Sequence, residues 1–265
     1  MPDPILEAPI LGAPILGAPI LEARDVSVFF GGVRALDRLS FAVRPGEVFG
    51  VIGPNGAGKT TLLNTISAVY RPRTGAVLLD GVPITGLPPH KLARRGIART
   101  FQIVQPFAHM TVRDNVLVGA MFGSAVKHGP HEAAELALQR TGLLPKAAFL
   151  PPQLTLAERK RLEVARALAM RPRILLLDEV MAGLNHTEIE RAITLIQQLQ
   201  ADGLTIIVVE HVMRAVLALC SRLMVLNFGA MLAEGPAAEV VANPAVVEAY
   251  LGSRFARQTA QALLA

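Results

Sequence analysis

The stretch GEVFGVIGPNGAGKTTLLNTI, residues 46–66, decides how the rest of the chain is read. A β-rich run from Val48 to Ile52 leads into Gly53-Pro54-Asn55-Gly56-Ala57-Gly58-Lys59-Thr60, then Thr61 and a helical pattern. The eight residues match G-x-x-x-x-G-K-[ST], a loop that wraps phosphate. Glycines let the backbone turn so tightly that successive amides face one anion, at the positive end of the following helix. Lys59 supplies a mobile charge to the β- and γ-phosphates of a nucleotide, and the Thr60 hydroxyl can ligate Mg²⁺. The plainer reading, a glycine-rich turn without ligand, is set aside because strand, loop and helix are all in place.

A second element completes such a site. Arg173-Ile174-Leu175-Leu176-Leu177-Asp178-Glu179 is an apolar strand ending in two carboxylates. Asp178 suits the outer shell of the magnesium. Side chains alternate along a strand, so Glu179 is expected to point elsewhere and to poise a water for attack on the γ-phosphate. ILLLDE (174–179) and GLTIIVVE (203–210) read as buried strands of a parallel sheet.

The chain has 265 residues, 52% of them hydrophobic, yet no run approaches the roughly 18 uncharged apolar residues of a membrane span. The net charge of +5 suits solvated helix faces first, and attraction to an anionic membrane surface or nucleic acid second. One cysteine, Cys220, excludes an intrachain disulfide, fits a reducing compartment, and is expected to fill a helix face. Residues 4–23 repeat PILEA-PILGA-PILGA-PILEA, and a proline every five residues blocks a helix. Without a basic n-region this is no signal peptide. Residues 1–19 therefore read as a low-complexity, disordered tail, 20–252 as one domain, and 253–265 as a C-terminal tail. Strands at 20–100 and 172–230 flank a helix-rich stretch, about 103–170, which includes the amphipathic HEAAELALQRTGLL (131–144).

Together these features resemble the ATP-binding subunits of ABC transporters, over residues 20–252. The resemblance implies a P-loop NTPase fold of the α/β class, with a parallel core sheet, an antiparallel β portion and a helical subdomain. It implies an ATPase that uses ATP and Mg²⁺. Phe30 stands where the family stacks an aromatic on adenine, and 53–61 is the Walker A loop and its helix start. Gln102, in RTFQ, matches the glutamine that senses the γ-phosphate and metal and couples to the membrane subunits. Walker B is 174–179, the D-loop is Ala182-Gly183-Leu184-Asn185, and His211, in VVEHV, matches the switch histidine. Lys59, Gln102, Glu179 and His211 are thus the expected catalytic set, with Thr60, Gln102 and Asp178 around the metal. The D-loop departs from the pattern at Asn185, which replaces an aspartate.

The signature loop departs further. The family writes LSGGQ where this chain has Leu154-Thr155-Leu156-Ala157-Glu158, followed by the matching RLEVARAL. In the family this loop reaches the ATP of a partner subunit in a head-to-tail dimer. Thr155 keeps the hydroxyl and Ala157 adds only a methyl, while Leu156 is bulkier. Thr155-x-x-Glu158 is also a capping box, so the helix start is expected to be well defined. Arg159, Lys160 and Arg161 read either as compensation for the glycines or as a solvated face. The loop is expected to work with altered efficiency.

Several phrases narrow the branch: GGVRALDRLSFAVRPGE, GIARTFQ, MTVRDNVLVGA, LLDEVMAGLN, VVEHVM and NPAVVEAYLG resemble the ATPase subunits of branched-chain amino acid importers. RTFQ is similar to the longer of the two paired ATPases. The resemblance implies two ATPase subunits, two membrane permeases and an external binding protein, with this chain peripheral at the cytoplasmic face of the inner membrane and no nucleic acid. Two other readings stand beside it. One is a soluble ABC ATPase working on nucleic acid or ribosomes, which would carry extra domains absent here. The other is a regulatory nucleotide-binding module with little turnover.

Overall fold

Alternating and continuous apolar runs sort the strands into two sheets. The computed structural model describes residues 17–102, 105–124 and 129–251. Residues 1–16 of the expected N-terminal tail and all of the expected C-terminal tail, 253–265, lie outside the described residues. The first strands alternate and pair antiparallel: β1 (Leu21–Phe30) lies between β2 (Val33–Val43) and β4 (Thr74–Leu79), with the short β5 (Val82–Pro83) beyond. The expected antiparallel portion is therefore present.

The second sheet has six strands in the order β10-β9-β3-β8-β7-β6. β3 (Val48–Ile52), β6 (Ile97–Arg99), β7 (Ile174–Asp178), β8 (Thr205–Val209) and β9 (Arg222–Asn227) run parallel. β10 (Ala230–Pro236) closes the edge antiparallel to β9. Every residue of β3, β7 and β8 is buried. The alternation explains why: Phe49, Val51, Ile174, Leu176, Ile207 and Val209 join the cluster beneath the antiparallel sheet, which also holds Leu62 and Leu63. Their neighbours Val48, Ile52, Leu175, Leu177, Ile206 and Val208 face the opposite cluster. Strands covered on both faces can be apolar throughout, which is what a parallel sheet requires.

Helices α1 (Lys59–Ile66) and α2 (Pro89–Arg94) follow β3 and β5. α3 (Val112–Phe122), α4 (Pro130–Arg140) and α5 (Leu156–Ala169) form a helical unit with an apolar cluster of its own, including Val116, Leu138, Leu143 and Leu162. α6 (His186–Ala201) and α7 (Met213–Leu219) cover the far face of the sheet through Ile193, Ile196 and Val216. α8 (Ala237–Ala242) and α9 (Pro244–Leu251) end the described chain. Cys220 caps α7 and is buried, so its apolar surroundings push the thiol up to about 12. Among the described residues no helix is long and apolar enough to cross a membrane.

Candidate functional site

Four neighbouring parallel strands end at one edge of the six-stranded sheet, and each hands the chain to a loop bearing an expected group. β3 leads to Gly53, β8 to Glu210 and His211, β7 to Glu179, and β6 to Thr100 through Gln102. This is the edge where ligands gather in open α/β sheets.

The loop after β3 closes tightly. Gly53 and Gly58 take φ values of 153° and 103°. A Cβ at Gly53 would lie 2.2 Å from the Leu226 carbonyl oxygen, and one at Gly58 2.5 Å from that of Ala35. Only glycine lets this turn nest between β2 and β9. Ala57 is buried and its carbonyl accepts from the Gly229 amide at 3.0 Å. Pro54 is half-buried, Asn55, Gly56 and Thr60 are exposed, and Thr61 is half-buried. Lys59 Nζ donates to the carbonyls of Gly53 at 2.7 Å and Pro54 at 3.0 Å, so the ammonium lies across the mouth of the turn. Burial lowers its pKa from the ordinary 10.5, and the Glu179 and Asp178 carboxylates oppose that shift.

Asp178 is almost wholly enclosed. Its Oδ2 accepts from Arg99 Nη2 at 2.8 Å, while Oδ1 is buried without a partner. Burial raises its carboxyl above the usual range and the Arg99 bond pulls it back. β7 stops at Asp178, and Glu179 has a left-handed φ of 49°. Its direction therefore comes from that residue's own backbone rather than from strand alternation, a correction to the sequence expectation. Such a conformation costs a non-glycine residue about 1–2 kcal/mol. Bonds on both sides hold it: the Glu179 amide donates to Val209 O at 2.9 Å, and its carbonyl accepts from Lys160 Nζ at 2.8 Å. The carboxylate accepts from Gln102 Nε2 at 2.8 Å. Gln102 and Glu179, distant in sequence, meet. His211 is exposed beside the buried Glu210, whose carboxylate accepts from the Met181 amide at 2.8 Å.

Phe30 is 45% exposed and meets Tyr70 edge to face, ring centroids 5.0 Å apart. Thr155 caps α5: its hydroxyl accepts from the Glu158 amide at 3.3 Å, and the Glu158 carboxylate accepts from the Thr155 amide at 3.1 Å. The expected capping box is present. Asn185 caps α6 in the same way, paired with Glu188. Within the basic run after the signature, Lys160 is buried and bonded to the Glu179 carbonyl and Arg161 donates to the Thr141 carbonyl, so neither is a freely solvated cation. Thr155 and Ala157 line a cavity with Leu184 and Glu188, and neither lines the one that holds Thr60, Gln102 and Asp178.

Thr60, Gln102 and Asp178 line one cavity of about 650 Å³ together with Asn64, Arg99 and Phe101. A buried carboxylate oxygen without a partner beside a hydroxyl and an amide fits a magnesium ion. No cluster of three or more His, Cys, Asp or Glu side chains suited to a metal occurs among the described residues. Phosphate oxygens would have to complete the shell, as is common for magnesium.

Residues 36–182 match the family model described as "ABC transporter", and residues 230–256 match "Branched-chain amino acid ATP-binding cassette transporter". The high-affinity branched-chain amino acid transport ATP-binding protein BraF of Pseudomonas aeruginosa is 38% identical over 247 residues, 87% of this chain and 97% of the relative. The chain belongs to the ABC transporter ATP-binding family. It falls within the branched-chain amino acid group of these ATPase subunits. The fold agrees: the ADP conformation of an ATP-binding cassette from an ABC transporter superposes with a TM-score of 0.81 at 32% identity, over 89% of this chain and all of that one. A cassette solved as a dimer in a post-hydrolysis state, bound to ADP and Pi, superposes with a TM-score of 0.72 at 26% identity, over 82% and 98%. Sequence reading of this cassette missed Arg99 and Tyr70, and named Lys160 only within a basic run, without its bond to Glu179. Arg99 and Lys160 meet their partners 79 and 19 positions away, and no local spacing marks either contact.

Proposed function

We propose that this ABC ATPase subunit powers uptake of branched-chain or related amino acids, and that the loop edge described above is its hydrolytic site. The observation that carries the reading is the convergence of four strand ends around Gly53–Thr60, with the Gln102 amide bonded to the Glu179 carboxylate. The amides from Asn55 to Thr61 hold the phosphates of ATP, and Lys59 leaves the Gly53 and Pro54 carbonyls to meet the β- and γ-oxygens. Phe30 stacks on adenine, with Tyr70 bracing its ring. Glu179 accepts a hydrogen bond from the attacking water, while Gln102 and His211 orient it and the γ-phosphate. Thr60, Gln102 and Asp178 would hold the magnesium, which when bound supplies neutralisation of the phosphate charge.

The C-terminal match and the BraF likeness support the importer reading over a cassette working on nucleic acid or ribosomes, and over a low-turnover regulatory module. They support assembly with a second ATPase in a head-to-tail dimer, with two permeases and indirectly with an external binding protein, at the cytoplasmic face of the inner membrane. In that dimer Thr155 and Ala157 present the start of α5 to the partner's nucleotide. The test is binding of a fluorescent ATP analogue, followed by steady-state hydrolysis with and without cognate permeases. Lys59→Ala should abolish binding, and permeases should raise turnover of the unmodified chain. Hydrolysis stimulated by nucleic acid and indifferent to permeases would reverse the conclusion.

A further inference from the structure

The RTFQ segment contains a buried cation that the proposed hydrolytic reading does not use. Arg99, the last residue of β6, is 6% exposed at its side chain, and its Nη2 lies 2.8 Å from an Asp178 carboxylate that is 1% exposed. Its other terminal nitrogen donates to Asn64 Oδ1 and, at 3.2 Å, to Ser67 Oγ, one on the helix headed by Lys59 and the other at its C-cap. The guanidinium lies 5.1 Å from the centre of the Phe101 ring, next to Gln102. Arg99 thus touches Walker B, the phosphate-loop helix and the Gln102 segment at once. The pairing is incomplete, because Asp178 Oδ1 and Arg99 Nε are buried without partners.

A buried carboxylate needs a positive neighbour. Asp178 has one supplied by the chain, and it is also the only carboxylate among those lining the cavity with Thr60 and Gln102 apart from Glu163. We propose that Arg99 is a tethered cation that competes with the divalent ion for Asp178, so that metal loading shifts Arg99 off the carboxylate and moves Phe101 and Gln102 with it. This rests on the nucleotide-site reading above and adds regulation to it. The exchange makes Arg99 a positioning residue that couples metal occupancy to the Gln102 loop. A guanidinium is well suited to the task, since it holds a carboxylate strongly but is displaced by a compact divalent charge once phosphate oxygens share the ion.

The chain has no tryptophan, so Phe101→Trp provides a single indole reporter in place of the ring that packs on Arg99. Mn²⁺ is titrated at saturating non-hydrolysable ATP analogue, with its binding read by electron paramagnetic resonance and the indole environment by fluorescence. Expected are a fluorescence change that tracks Mn²⁺ binding, about ten-fold tighter Mn²⁺ binding in Arg99→Gln, the size of a typical coupling between two ligands, and loss of the fluorescence response when the two substitutions are combined. Arg99→Lys, which keeps the charge but not the forked bonds to Asp178, Asn64 and Ser67, should fall between. Unchanged or weaker Mn²⁺ binding in Arg99→Gln would overturn the proposal, the latter by showing that Arg99 orients Asp178 for the metal. If Arg99→Gln does not fold, an Arg99→Lys affinity equal to the unmodified chain's, together with indole fluorescence silent to Mn²⁺ in the Phe101→Trp chain, would overturn it equally. Failure of the unmodified chain to bind the analogue would instead sink the nucleotide-site reading itself.

Discussion

At the scale of single residues, Glu179 is where backbone and chemistry meet. Its left-handed φ of 49° is held by an amide bond to Val209 and a carbonyl bond from Lys160, and its carboxylate is bonded by Gln102. Replacing the carboxylate with an amide leaves those backbone bonds intact but removes the acceptor for a water proton. Glu179→Gln should therefore bind ATP as the unmodified chain does while hydrolysis falls about 10²–10⁴-fold, the range of a lost general base. Equilibrium binding and single-turnover hydrolysis on the same preparation separate the two. Normal turnover would assign the water to another group. Lys59, Asp178 and Glu179 were legible because their motifs are contiguous and each residue type answers to one physical demand. Arg99 was not, since the value of an arginine in β6 depends on an aspartate 79 positions away. Glu179's backbone was likewise hidden: the sequence shows an acid after a strand, but not where the strand stops.

At the scale of elements, the start of α5 shows how local chemistry survives a lost motif. The helix is closed by its own residues, Thr155 and Glu158, and the Glu158 carboxylate also accepts from Lys146 Nζ at 2.6 Å. The capping box was readable because its spacing is local. The Lys146 bond, which fastens the 144–146 turn to the helix, was not. Thr155→Ala should cost about 1 kcal/mol of stability, as N-cap losses do, measured by denaturant unfolding. The Lys146 bond, helped by the Thr155 amide and Arg161, outweighs burial and holds the Glu158 carboxyl below its ordinary 4.5. A group with a lowered native value adds stability above its unfolded value and loses it as pH falls through the native one. The stability gap between the unmodified chain and Glu158→Gln should then be full above about pH 4.5, near the unfolded value, and close below it. A gap that stayed constant into acid would mean that the carboxylate charge adds nothing. The bond from the Glu158 amide uses an acceptor lone pair of the Thr155 hydroxyl and leaves its proton free to donate to a phosphate oxygen.

At the scale of the whole molecule, the question is how a helical unit with its own apolar core communicates with the sheet that carries Walker B. α3, α4 and α5 are built around one cluster and the six-stranded sheet around two others. Lys160 bridges them. It leaves α5 in a buried position, donates to the Glu179 carbonyl at 2.8 Å, and is electrostatically stabilised by Glu210 and Glu179 against the burial that lowers its pKa. Glu210 is itself buried, its carboxyl raised by that burial and one oxygen left without a partner. A rotation of the helical unit would pull this ammonium from the carbonyl of Glu179, the residue proposed to hold the water, and the tie would then report helix position to it. Lys160→Met keeps the length of the side chain and removes the charge and the donor. It should destabilise the fold by about 1.5–3 kcal/mol, the worth of a hydrogen bond from a charged donor, because the Ala182 amide still donates to the Glu179 carbonyl at 3.2 Å. It should also lower kcat with little change in nucleotide affinity, because the phosphate loop is untouched, and Lys160→Arg should recover part of the loss. Equal falls in affinity and kcat would make Lys160 a general structural brace. A stability loss with unchanged kcat would show that the Val209, Ala182 and Gln102 bonds set the position of Glu179 without Lys160.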